Sequence, residues 1–297
     1  MNVLVCIKRV PATAGQITLT PDGQDIDTRY LGFTISPHEE CAVEEAVRTI
    51  EAHGGTTTVL TLGPEAAADQ LRDAMALGIE RALLLESDGR EWDPVATASA
   101  IVQAIEAERA AGRSYDLVLF GNESADSAGY QVGVRVADAL DLPCVTGIKA
   151  IEVTDGRAMV RRQTESGWET ADVPLPAVLT VKEGINLPRY PSLPGRLKAK
   201  KKEIERSKPQ WQDGGLEKVR LKLPVQVEQP GGENAQAQPR SEELAVPPSL
   251  TEGLQPVPAD DNGESLLLQA VEPANLLPDP DDGVAEEVTV EVPAQIP

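Results

Sequence analysis

The chain has 297 residues, with 48 Asp and Glu against 27 Lys and Arg, and a net charge of −21 that argues against a nucleic-acid-binding surface. A hydrophobic share of 41% is that of an ordinary globular protein, but aromatics make up only 3%, so the core must be aliphatic. No apolar run reaches the roughly 18–20 residues a membrane helix needs, and membrane insertion is not expected.

The opening MNVLVCIK carries a five-residue apolar core, short of what a secretory signal requires, and reads as a strand, VLVCI (3–7). Further apolar runs follow at TTVLTL (57–62), ALLLE (82–86), LVLFG (117–121) and AVLTV (177–181). Their near-continuous apolarity suits a parallel sheet covered on both faces. Between them lie SPHEECAVEEAVRTIEAHGG (36–55), GPEAAADQLRDAMALG (63–78), DPVATASAIVQAIEAERAAG (93–112) and DSAGYQVGVRVADALDL (126–142). Each offers a capping residue or Pro at its start, an apolar stripe at helical spacing, or a closing Gly. Strand–helix alternation predicts an α/β fold with a doubly wound, mostly parallel, Rossmann-like sheet. Residues 151–175 break that rhythm with two extended segments and turns at Asp155-Gly156 and Ser166-Gly167, a hairpin-like insertion before the last core strand.

After about residue 206 the composition changes: residues 207–297 contain 13 of the 24 prolines, and residues 241–297 carry 13 Asp and Glu with no Lys or Arg. A body over 1–206, an extended arm over 207–240 and an acidic, Pro-rich tail over 241–297 are expected. So polar a tail has too little apolar surface to offset its ordering entropy and is expected to be disordered. Its short EEVTVEV run and the LKLPVQV of the arm leave room for strand addition.

Three cysteines, Cys6, Cys41 and Cys144, lie far apart without a CxxC spacing. That fits a reducing, cytoplasmic setting and neither a disulfide framework nor a zinc site. There is no Walker motif and no GxGxxG after the first strand, where the chain reads KRVPATAGQ. His38 and His53 have no accompanying nucleophile, HExxH or GxSxG motif, so no catalytic residue of its own is expected.

What stands out is the loop after LVLFG, GNESADSAGYQVG (121–133). At the carboxyl end of a parallel strand, a loop that opens a helix turns backbone N–H groups outward and can cradle a phosphate. The same spacing also describes a plain strand–helix loop with capping residues. SPHEE (36–40) likewise reads as a helix cap with acidic first-turn residues, and also as a place where backbone groups could grip an adenine. The third feature is YPSLPGRLKAKKKEIER (190–206), a bare leucine between prolines ahead of a basic run.

Taken in order, VCIKRVP, SPHEECAVEEAV, LGPEAAADQLRDAMALGIERA, GNESADSAGYQVG and above all LPRYPSLPGRLKAKKKEIE resemble the electron transfer flavoprotein β-subunit family, from residue 1 to about 208. The resemblance implies a heterodimer with an α subunit that carries electrons from flavin dehydrogenases, such as the acyl-CoA dehydrogenases of fatty acid oxidation, to a membrane quinone oxidoreductase. One FAD would be held mainly by the α subunit, with Thr13 near its flavin ring. The β subunit would bury an AMP or, in electron-bifurcating members, a second FAD. The site so implied is Cys6, then Ser36, Pro37, His38 and Glu39, then Leu62, then the run Gly121, Asn122, Glu123, Ser124, Ala125, Asp126, Ser127, Ala128, Gly129, Tyr130, Gln131 and Val132. Asp126 and Gln131 would be its leading polar groups.

Arg162 would pair with the α subunit. In a recognition loop at 189–206, Leu193 would anchor on the dehydrogenase while Arg196, Lys198, Lys200, Lys201 and Lys202 steer it. The arm over 207–240 would pack on the α subunit. Departures from the family pattern are Ser36 before Pro37 where many members have Asn, Ser127 and Ala128 where acids are common, and Ala12 in place of the acid before Thr13. A different class, a stand-alone adenine-nucleotide-binding module of the stress-protein type, shares the architecture but needs neither Leu193 nor the lysine run.

Overall fold

Val3, Leu4 and Val5 of the first strand, β1 (Asn2–Cys6), are fully buried, because helices cover both faces of the sheet it belongs to. The computed structural model describes residues 1–12, 17–90, 92–216 and 218–223, and the backbone of 288–291. Parallel to β1 run β4 (Thr56–Gly63), β5 (Arg81–Glu86), β6 (Leu117–Gly121) and β10 (Ala177–Val181), in the order β5-β4-β1-β6-β10. These are the five apolar runs of the sequence. Alternation along β1 divides the core: Val3 and Val5 join the cluster under α1 (Pro37–His53) and α2 (Ala68–Leu77). Leu4 and Cys6 join the cluster under α3 (Pro94–Ala110) and α4 (Val132–Leu140). The sheet is doubly wound, as expected.

Strand order reverses at β1, with β4 and β5 on one side and β6 and β10 on the other. In open α/β sheets this switch point opens a crevice at the carboxyl ends of the strands. The ends of β1 and β6, which border it, carry Cys6 and Gly121.

The insertion is larger than the two segments expected. β7 (Cys144–Thr154), β8 (Arg157–Thr164) and β9 (Gly167–Pro174) form an antiparallel ribbon, and β7 also pairs in parallel with β10. The first half of β7 is hidden in the sequence by Gly147, at φ +69°, and by shifts of register near Ile148. The turn after β7 is as read: Asp155 and Gly156 both have positive φ, as the type I′ form of a two-residue hairpin connection requires.

Two-residue strands β2 (Val10–Pro11) and β3 (Phe33–Thr34) pair beside the body, and α5 (Leu193–Lys201) leads into β11 (Glu205–Ser207), which extends the sheet beyond β5. The chain then runs back over its own domain. The Gln210 N–H donates to Gln103 on α3, Lys218 pairs with Asp25, and the Leu221 N–H donates to the Gly23 carbonyl. The arm expected over 207–240 thus lies on this chain over residues 208–216 and 218–223; residues 224–240 fall outside the described residues. Of the tail, β12 (Val288–Glu291), within the EEVTVEV run, adds in parallel to the edge of β9. The disorder expected for the rest of 241–297 concerns residues outside those described. Among the described residues no helix is long and apolar enough to cross a membrane.

Candidate functional site

Ser36 and Glu39 open α1 with a capping box: the Glu39 N–H donates to Ser36 Oγ and the Ser36 N–H donates to Glu39 Oε2. The other carboxylate oxygen accepts the backbone N–H of Lys8, at 3.0 Å, just past the end of β1. Glu39 therefore ties the start of α1 to the exit of β1. It does so from inside the protein, and burial pushes its carboxyl up to about 8 against the pull of those two N–H donors. Gly121 abuts it: a Cβ there would lie 2.6 Å from Glu39 Cγ and 3.0 Å from its backbone nitrogen. Glycine is required at this position by contact, not by φ. Beside them the Cys6 thiol is buried, and its pKa is raised first by burial and then by Glu39. Leu62, half-buried, ends the row from β4.

The loop from Asn122 to Gln131 is pinned at several points. Gly147 N–H donates to Thr180 Oγ, and that hydroxyl donates to Asn122 Oδ1. The Glu123 carbonyl accepts from Ser36 Oγ. His38 accepts the Glu183 N–H at Nδ1, 2.7 Å, which puts the ring proton on Nε2, where it donates to the Glu123 carboxylate at 3.0 Å. Lys8 Nζ reaches Asp126 at 2.7 Å. Burial would raise the Asp126 carboxyl, but the Lys8 charge and bonds from Lys8 and Ser124 outweigh it, and it stays below the usual range. Ser124 and Ser127 share a hydroxyl hydrogen bond, and the Ala128 N–H donates to the Ser124 carbonyl.

Ala128 and Tyr130 take positive φ, at 45° and 55°, so Ala125 to Gly129 curl before Gln131 enters α4. The helix starts at Val132, slightly later than the sequence suggested. Helices α1, α3 and α5 are capped by Ser36, Asp93 and Ser192. Among the described residues no side chain caps α4, and Gln131 instead accepts two bonds from Arg135. The first-turn N–H groups of α4 have no carbonyl one turn back, and they open at the sheet's carboxyl edge.

Sequence reasoning singled out Asp126 and Gln131 as polar groups facing a ligand; both are engaged within the chain. It missed Lys8, whose signal was its place two residues after Cys6 at the end of the first strand. Pro37 sits in the first turn of α1. Thr13 lies outside the described residues.

Next to the loop is a cleft of about 410 Å³, lined by Asn122, Tyr130, Thr146, Gly147, Arg162 and Lys182 among others. Arg162 is thereby brought within one cleft of the loop, but its guanidinium bonds Glu169 across the ribbon.

The projecting segment lies elsewhere. Leu193 is the first residue of α5 and 71% exposed, with Leu187, Tyr190 and Leu197 exposed around it. Proline at the second helical position and the Ser192 cap suit a helix start. α5 packs so closely on α2 that a Cβ on Gly195 would lie 2.5 Å from the Ala76 carbonyl oxygen. Arg196, Lys198, Lys200 and Lys201 are exposed. Lys202 differs: half-buried, it donates to the Ile79 carbonyl at 2.8 Å.

Residues 25–210 match the family described as electron transfer flavoprotein domain. The chain is similar to the electron transfer flavoprotein subunit beta of Bacillus subtilis, 38% identical over 208 residues, which are 69% of this chain and 78% of that one. The protein of the same name from Thermoanaerobacterium thermosaccharolyticum is 37% identical over 207 residues, 69% of this chain and 77% of its own. The mitochondrial form from Oryza sativa subsp. indica is 35% identical over 214 residues, 71% and 83% respectively.

Proposed function

The chain belongs to the electron transfer flavoprotein β-subunit family, and from that premise we propose that it pairs with an α subunit and carries electrons on an FAD held mainly by that subunit. Flavin dehydrogenases, acyl-CoA dehydrogenases among them, supply the electrons, and a membrane quinone oxidoreductase receives them. The heterodimer works in the cytoplasm. FAD, when bound, supplies the redox chemistry; the residues of this chain bind and orient, and none acts as acid, base or nucleophile.

We assign AMP to the crevice at the ends of β1 and β6. The observation that carries this assignment is the uncapped start of α4 behind the curled loop 125–130. Its free N–H groups and the helix-end field suit a phosphate. Asp126 is neutralised by Lys8 and does not repel an anion there. Ser36, His38 and Glu123 hold the loop in place, so the nucleotide orders little on arrival. Arg162 and the exposed Leu193 face two different partners, the α subunit and the dehydrogenase.

Co-expression with the α subunit tests this reading. A yellow heterodimer is expected, releasing on denaturation one FAD and one AMP. Two FAD and no AMP would overturn the AMP assignment in favour of an electron-bifurcating member. A colourless homodimer that hydrolyses ATP would overturn the carrier itself.

A further inference from the structure

Between β10 and α5 the chain runs for residues 182–192 without regular structure, yet it holds out Leu187 and Tyr190, the latter 96% exposed, and leads directly into Leu193 at 71%. Such a segment has no backbone ladder to hold it, so side chains must. They do so along one stripe of α1, at residues 41, 44, 45 and 51, spacings that share a helix face. Asn186 Nδ2 donates to the Cys41 carbonyl and to Glu45, at 3.0 and 2.8 Å.

The centre of the attachment is Arg189. Its Nε and one terminal nitrogen take both oxygens of Glu44, at 2.9 and 3.0 Å, and its two terminal nitrogens take both oxygens of Glu51, at 2.7 and 2.9 Å. Its backbone N–H adds a bond to Glu44. Glu44 is 2% exposed and is shared with Arg48. A buried carboxylate is costly to leave unpaired, so Glu44 holds the loop as firmly as the loop covers it. Two carboxylates gripped by one planar fork are within the reach of arginine and not of lysine. Beyond the segment, the far end of α5 is also fixed, by Arg72 donating to the carbonyls of Ala199 in its last turn and of Lys202 just past it.

We propose that Arg189 is the positioning residue of the docking loop: clamped on Glu44 and Glu51, it sets Tyr190 and Leu193 in their projecting geometry before a dehydrogenase arrives. The inference rests on the reading of Leu193 as the anchor. Its gain is pre-organisation, since side chains already ordered are not ordered again on association. The effect therefore falls on encounter and affinity, and electron transfer within the complex is untouched.

The test uses the full chain in its heterodimer, with an acyl-CoA dehydrogenase reduced by its acyl-CoA as the electron donor. Arg189→Gln is expected to raise amide hydrogen exchange over residues 186–193. It should raise the KM for the carrier roughly five- to tenfold with kcat and FAD content unchanged, and Arg189→Lys should recover part of the loss. Leu193→Ala is run beside it. If Leu193→Ala leaves transfer unaltered, the docking reading fails. If Leu193→Ala impairs transfer while Arg189→Gln changes neither exchange nor KM, the positioning role fails; a lowered melting temperature with unchanged KM overturns it too. Should Arg189→Gln not fold, Glu51→Gln at the exposed half of the clamp takes its place, with a smaller KM rise expected and an unchanged KM overturning the proposal.

Discussion

Gly121 and Glu39 touch so closely that a single added carbon on the glycine would sit 2.6 Å from Glu39 Cγ. This contact sets the distance between the end of β6 and the start of α1, and with it the position of the loop that begins at Gly121. Gly121→Ala must displace either backbone or the Glu39 side chain. Overpacking of this kind costs about 1–3 kcal/mol. A melting temperature lowered accordingly, together with loss of nucleotide from the purified heterodimer measured by chromatography after denaturation, is the expected result.

Glu39 also gives the protein a pH signature. Its folded pKa, about 8, lies above the ordinary 4.5, so the folded state holds the proton more tightly than the unfolded chain. Its stabilising contribution is complete below pH 4.5 and is lost as pH rises through 8. The slope from one such group is at most about 1.4 kcal/mol per pH unit. Glu39→Gln is expected to flatten the decline between those limits, as read by chemical denaturation at a series of pH values, and an unchanged profile would count against the assignment.

Glu108 behaves in the opposite sense. Bonds from Arg113, Arg81 and Tyr115 overcome its burial and hold its carboxyl down to about 2. Its contribution is present above pH 4.5 and is lost as pH falls toward 2. Because Arg81 also binds Glu205, this network secures β11 to the sheet edge. Glu108→Gln should cost roughly 3 kcal/mol at neutral pH, with the gap to the parent protein narrowing as the pH of the denaturation series approaches 2.

The basic run divides in two. Lys200→Ala combined with Lys201→Ala should weaken the salt dependence of electron transfer from the dehydrogenase, since steering acts within about 8–10 Å at moderate ionic strength. Lys202→Ala removes an internal bond to Ile79 instead. It should lower stability by about 1 kcal/mol and leave the salt dependence as it was. Stopped-flow rates over a salt series, set beside melting curves, separate the two.

The sequence by itself determined the five parallel strands, four of the helices and the loops between them. Burial on both faces writes itself as continuous apolar runs, and helix starts carry their own caps, as at Ser36 and Asp93. It also marked Leu193 and the loop at 121–133, because small and polar residues after a buried strand, or a bare leucine between prolines, are local patterns. Only the tertiary structure decided what those side chains touch. Asp126 finds Lys8, 118 residues away, and Arg189 finds Glu44, 145 residues away, because the fold brings the carboxyl ends of β1 and β6 together and lays the 182–192 segment along α1. The first half of β7 needed β10 beside it to be a strand across the twist at Gly147. Periodicity reports which face a residue takes; it carries no record of its partner across the fold.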